Sequence, residues 1–260
     1  MNKIHPTAII NKTCELGENI TIGPYSVLAS NVKIGDGSII HNHVTLIGKT
    51  TIGKECEVFP GAVIGGDSQD KKFDKEKIEA SLEIGDQCIL REHCTINKGS
   101  KKEDPRTVIG NRAWIMAGAH VAHDCRIGND VVLSNNTALA GHVTIGNCVI
   151  LSGYAAVHQF LEIGAYCMVS SRSIVKANVP PYLIVEGDHA KAMTINKVGL
   201  QRNDFTEEEI NDVKKVFRMY YRDKSKLKKE ALQEIKQLFS GKSKIDSFIQ
   251  FIEGHELNIS

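Results

Sequence analysis

The sequence predicts a mainly β chain wound as a parallel β-helix and followed by a C-terminal helical domain, and three observations carry that prediction. Aliphatic residues recur every six positions, small residues sit two positions before them, and both patterns give way near residue 181 to apolar residues at helical spacing. Ile4, Ile10, Leu16, Ile22, Leu28, Ile34, Ile40, Leu46, Ile52, Val58 and Ile64 form an unbroken series. After a slip come Ile84, Leu90 and Ile96, and after a second slip twelve more, from Ile109 to Val175. Neither a period of 3.6 nor one of 2 accounts for this spacing, whereas short strands joined by tight corners do. Three hexads then make one triangular coil, and successive coils stack at roughly the 4.8 Å strand spacing.

The remaining hexad positions follow from that prism. Glycine often succeeds the aliphatic residue, as at Gly23, Gly35, Gly53, Gly85, Gly110, Gly128, Gly146 and Gly164. A corner is where a bulky side chain is least welcome. The small position, filled by Ser26, Ser38, Ala62, Ala113, Ala119, Thr137 and Ala155, is expected to point inward. Cys14, Cys56, Cys88, Cys94, Cys125 and Cys167 occupy the same position and read as small buried hydrophobes. Seven cysteines without a CxxC also argue against a disulfide framework or a structural zinc site.

The β-helix is expected over residues 1–181, with inserted loops at about 66–82 and 98–107. Such loops read either as solvated surface or as functional projections from a rigid scaffold. Pro180-Pro181 close the repeat, residues 182–205 read as an irregular connector, and 206–260 as the helical domain. Thr206 to Glu209 is a capping box, opening a helix through Val213, Val216, Phe217 and Tyr220. A second helix is expected from Leu227 to Phe239, and a third through Ile245, Phe248, Ile249 and Ile252 to Gly254. Between Lys214 and Lys229 eight basic residues accompany one acidic one, Asp223. That run reads as a solvated face or as a docking patch for an acidic partner.

Composition narrows the function classes. Thirty-two basic residues balance thirty-one acidic ones across 260 positions, so no global charge argues for nucleic acid. The opening MNKIHPTAII lacks a signal-peptide core and no apolar run reaches membrane-spanning length. The expectation is a cytoplasmic protein without membrane insertion.

Four of ten histidines, His120, His123, His142 and His158, fall in one sector of the prism. Residues eighteen apart lie one above the other, which puts His123, Gly141 and Gln159 in one column, with His142 and His158 beside it. His123 should face outward, and Asp124 beside it can fix its tautomer and stabilise its cation, which suits a general base. The Gly141 N–H, one coil away, is a candidate oxyanion donor. No serine or cysteine nucleophile is evident beside His123, which favours direct transfer.

The segments AHVAHDC (119–125), LAGHV (139–143), AVHQF (156–160) and NVPPY (178–182) resemble the UDP-N-acetylglucosamine acyltransferases of lipid A synthesis, over the whole chain. The resemblance supplies the left hand of the helix, since ordinary parallel crossovers are right-handed. It implies transfer of an (R)-3-hydroxyacyl group from acyl carrier protein to the 3-position of UDP-N-acetylglucosamine. His123 would be the base, supported by Asp124, with the Gly141 amide holding the oxyanion. It implies substrate contacts at Asp70, Lys72, Asn97, His120, His142, Gln159, Asn196 and Arg202, and an acyl-chain pocket at Met168, Ser171 and His189. It also implies a homotrimer, no metal and no cofactor beyond the phosphopantetheine thioester of the carrier, with the basic tail docking that carrier.

The chain departs from the family pattern at Asn97, where histidine is common, and at Val198, Asn203 and Ser171. Asn97 motivates an alternative acceptor, the 3-amino analogue of the UDP-sugar, giving an amide. Other readings are the later N-acyltransferase of the pathway, a γ-carbonic-anhydrase-like zinc lyase using His120, His123 and His142, and a purely structural β-helix.

Overall fold

The computed structural model describes residues 1–71, 78–100, 103–255 and 259–260. It is a left-handed parallel β-helix capped by short helices. Three sheets of eleven, nine and eight strands form the walls, and most strands are two residues long. A single coil advances the register by eighteen residues, so Ile22 pairs with Ile40 and Val121 with Leu139. The aliphatic position of successive hexads fills the axis: Ile40, Leu90, Ile115, Leu133 and Leu151 are all fully buried. Cys56, Cys88, Cys94, Cys125 and Cys167 are buried beside them, whereas Cys14, expected to be buried too, is only half-buried near the open end of the prism; all seven cysteines are free thiols. Burial pushes the Cys94, Cys125 and Cys167 thiols up to about 12, which leaves almost no thiolate at neutral pH.

The glycines have a sharper role than corner flexibility. A Cβ on Gly35 would lie 2.6 Å from the Gly53 carbonyl carbon, so these positions are glycine because the next coil's backbone touches them. The backbone turns two residues later, at left-handed residues such as Tyr25, Glu55, Arg112, Asp130 and Tyr166. Asn, Asp and His are frequent among these corner residues, in keeping with their tolerance of positive φ.

Both insertions are shorter than the sequence pattern indicates. Glu57 pairs with Ile89, and Thr95 with His120, so they add fourteen and seven residues to a coil. Their ends are strand: Val63–Gly66 and Ser81–Ile84 flank the first, Thr95–Asn97 and Arg106–Ile109 the second. Of the residues between these strands, 67–71, 78–80, 98–100 and 103–105 are described and none is in a strand.

The connector is not irregular, which corrects the expectation for 182–205. Strand Leu183–Glu186 continues the parallel stack on Met168–Val169, then pairs antiparallel with Lys191–Ile195. The prolines end the hexads, but the open sheet edge still accepts another strand. Helix α1 (Lys197–Arg202) follows, then α2 (Glu207–Phe217), which runs into a π-helical turn at Arg218–Arg222. Helices α3 (Lys228–Leu238) and α4 (Ser243–Gly254) complete the tail. Thr206 and Glu209 form the expected reciprocal capping box. Among the described residues no helix is long and apolar enough to cross a membrane.

Candidate active site

Strand His120–Val121 turns at a corner that places His123 on the prism surface and Asp124 in the left-handed region (φ 60°). The two side chains face each other: His123 Nδ1 lies 2.8 Å from Asp124 Oδ2. The Asp124 side chain is only 3% exposed and that of His123 14%. An ionised carboxylate so placed accepts from Nδ1–H, which leaves Nε2 unprotonated and able to take a proton. His142, one coil on from Asp124, stands edge-on to His123 with centroids 5.1 Å apart, its Nε2 3.6 Å from Asp124 Oδ2. The exposed Phe160 ring stacks on His142 at 4.5 Å.

The expected column is present. A Cβ built on Gly141 would meet His123 Cε1 at 2.5 Å and Nε2 at 2.7 Å, so the Cε1–Nε2 edge of the imidazole lies against the glycine backbone. None of the hydrogen bonds among the described residues uses the Gly141 N–H. Gln159, the next member, is exposed.

Ser100, from the second insertion, also reaches this site. Its Oγ is 3.0 Å from His123 Nδ1 and donates to Asp124 Oδ2 at 2.7 Å, while its N–H donates to Asp124 Oδ1 at 2.8 Å. A serine hydroxyl thus stands beside His123. It does not create a nucleophile: a nucleophile–base–acid triad needs the hydroxyl and the carboxylate on opposite imidazole nitrogens. Here both are on Nδ1. The hexad period says nothing about where a loop outside the coil goes, so spacing alone could not place Ser100.

The other predicted residues lie on several elements of the fold. His120 is half-buried, with Nδ1 2.8 Å from Thr95 Oγ1. Burial, and secondarily the neighbouring His123 imidazole, pushes the His120 imidazole below its ordinary value. Asn97 is 6% exposed and its Oδ1 has no hydrogen-bond partner among the described residues. Lys98 pairs with Asp67 at 2.8 Å and so ties the two insertions together. Asp70 is exposed on the first insertion, and Lys72 lies outside the described residues.

Asn196 is buried as the N-cap of α1, its Oδ1 accepting from Gly199 N–H and its Nδ2 donating to the Tyr166 carbonyl. The same short helix exposes Val198 and Arg202, and the Asn203 side chain closes its end on the Gly199 carbonyl. Met168 lies in a wall strand, Ser171 is exposed at a corner, and His189 borders a cleft with Lys176, Lys191, Tyr221 and Lys228. His123, Asp124 and His142 are also the group whose ligand atoms could converge on one cation. His120 is not part of that group.

A histidine–carboxylate pair beside a close-packed glycine amide, on a hexapeptide β-helix, is an arrangement suited to a hexapeptide-repeat acyltransferase. Residues 13–48 and 106–141 match the bacterial transferase hexapeptide model, and 178–259 match domain 2 of UDP-N-acetylglucosamine O-acyltransferase. The chain belongs to the acyl-[acyl-carrier-protein]–UDP-N-acetylglucosamine O-acyltransferases. One relative of that name, from Thermodesulfovibrio yellowstonii, is 41% identical over 100% of this chain and 99% of its own length. Another, from Campylobacter concisus, is 35% identical over 89% and 87%. The crystal structure of the Francisella novicida UDP-N-acetylglucosamine acyltransferase superposes with a TM-score of 0.94 at 35% identity, covering 98% of this chain and 93% of that one. The enzyme from Moraxella catarrhalis gives 0.92 at 37%, covering 98% of each.

Proposed function

We propose that the chain transfers an (R)-3-hydroxyacyl group from acyl carrier protein to the 3-hydroxyl of UDP-N-acetylglucosamine, the first step of lipid A synthesis, with His123 as general base. The observation that carries this reading is the Nδ1-anchored imidazole whose Nε2 edge lies against Gly141. The sugar hydroxyl gives its proton to His123 Nε2 as its oxygen attacks the thioester carbon. The Gly141 N–H donates to the developing oxyanion. Collapse breaks the C–S bond, and the proton returns from His123 to the departing thiolate of the carrier. General-base catalysis contributes about 10²–10⁴-fold, and one oxyanion donor about 10²–10³-fold.

Several features support the assembly and partners in this reading. Trp114, Tyr154 and Phe160 are large apolar side chains exposed on the prism, which favours a homotrimer with sites between neighbouring prisms. Lys214, Arg218, Lys224 and Lys229 are exposed on the helical tail, a cationic surface for an acidic carrier protein. Met168, Ser171 and His189 would line the acyl chain, and Asp70, Lys72, His120, His142, Gln159, Asn196 and Arg202 would hold the UDP-sugar. The site of action is the cytoplasm, where carrier protein and UDP-sugar are made. No cofactor or metal takes part.

Mass spectrometry of the product made from mixed hydroxyacyl carrier proteins tests the reaction. His123→Ala is expected to abolish it in a folded protein; full turnover by that variant would sink the assignment. Stoichiometric zinc in purified protein, with activity lost on its removal, would favour the lyase instead.

One observation favours the 3-amino sugar as the acceptor. The buried Asn97 Oδ1 lacks a donor among the described residues. A hydroxyl has one proton, and it goes to His123; a neutral amine has two, and the second would suit Asn97 Oδ1 with the sugar 3-position bound against it. Side-by-side turnover of the two UDP-sugars decides this, and clear preference for the hydroxyl sugar would reject it.

A further inference from the structure

The second insertion adds seven residues between strands that would otherwise follow at the normal coil spacing. It returns to the prism at the dyad from both of its ends. From its start, Ser100 donates its N–H to Asp124 Oδ1 (2.8 Å) and its hydroxyl to Oδ2 (2.7 Å). Just past its end, Thr107, buried in the returning strand, accepts the Asp124 N–H at 2.8 Å through Oγ1. Asp124 is thus gripped at its backbone and at both carboxylate oxygens.

We propose that Ser100 is a positioning residue for the base, and that the insertion serves to deliver it; the inference rests on the assignment of His123 as that base. The Ser100 hydroxyl has one proton, which goes to Asp124 Oδ2. Its lone pairs then face His123 Nδ1, 3.0 Å away, so Nδ1–H is shared between Oδ2 and Oγ. This three-centre contact fixes the carboxylate torsion and the plane of the imidazole at once. Without Oγ, Oδ2 keeps its contact to His123 and Oδ1 keeps its bond from the Ser100 N–H, but the one group that touches both the carboxylate and the imidazole is gone, and the two planes are no longer locked to each other. An ångström of displacement at a reacting group can cost about a hundredfold in rate.

The test compares Ser100→Ala and Ser100→Thr in the full-length enzyme with acyl carrier protein and UDP-sugar as substrates. Ser100→Ala is expected to lower kcat about tenfold or more, with KM for both substrates within about threefold and an unchanged melting temperature. Ser100→Thr, which keeps the hydroxyl, is expected to restore kcat to within about threefold of the parent. Wild-type kcat in Ser100→Ala, a loss confined to KM, or a loss equally present in Ser100→Thr would each overturn the proposal. Should His123→Ala be inactive while Ser100→Ala is unimpaired, only this inference falls.

Discussion

Gly141 sits so close beneath the His123 imidazole that a Cβ added to it would lie 2.5 Å from Cε1 and 2.7 Å from Nε2. The glycine is required here by contact, since its backbone does not adopt positive φ. Gly141→Ala therefore cannot be accommodated without displacing the imidazole at its Cε1–Nε2 edge, the edge proposed to take the proton. A fall in kcat of about a hundredfold is expected, with a melting temperature near that of the parent. Steady-state kinetics with parallel thermal denaturation checks this, and an alanine variant of normal kcat would show that the imidazole edge is not the reacting one.

That contact was legible from the sequence because a rigid eighteen-residue coil converts spacing into stacking, and the pair is eighteen apart. The burial of Cys56, Cys88, Cys94, Cys125 and Cys167 followed for the same reason. What lay outside the period was not legible. Ser100 belongs to a loop whose path depends on tertiary contacts, and the hexad pattern is silent on it. The strands Leu183–Glu186 and Lys191–Ile195 did carry a signal, two β-prone runs about Gly187, whose φ of +110° suits a turn. Pro180-Pro181 masked it by reading as the end of the sheet. Handedness was invisible too, because period fixes how residues stack but not which way the chain winds.

Ala155 tests the prism itself. It occupies the small inward position of its hexad and is fully buried between Leu151 and Val157. Cross-sections of such a narrow core have no spare volume, so Ala155→Leu forces wall strands apart. The expected cost is about 1–3 kcal/mol, read as a lower urea midpoint at unchanged m-value. An increase in stability would mean that the inward positions leave room the structure does not show.

His120 gives a pH dependence of stability with a definite sign. Burial and the neighbouring His123 push its imidazole below the ordinary value of 6.5, so the unfolded chain takes up this proton before the folded chain does. Between the two values the unfolded state binds more protons, and stability falls as pH falls. The loss begins near the ordinary value and is complete below the folded one. His120→Gln removes this titration while keeping a polar partner for Thr95. The melting temperature of the parent should drop more steeply than that of the variant between pH 7.5 and 5.5 (about two decades of proton activity). Parallel curves, or a steeper drop in the variant, would contradict the depressed imidazole.

Asp124 is the residue on which the assignment of roles in the dyad can be separated from its shape. Its left-handed backbone is one that asparagine adopts readily, so Asp124→Asn keeps the corner and the side-chain volume. The charge is lost, and an amide can turn its N–H toward His123 Nδ1. That orientation stabilises the tautomer with the proton on Nε2, which cannot accept one from the sugar hydroxyl. A kcat loss of about 10²–10⁴-fold is expected, with little change in KM or melting temperature. A change under threefold would show that the carboxylate serves only to pin Ser100 in place, leaving the imidazole to find its tautomer unaided.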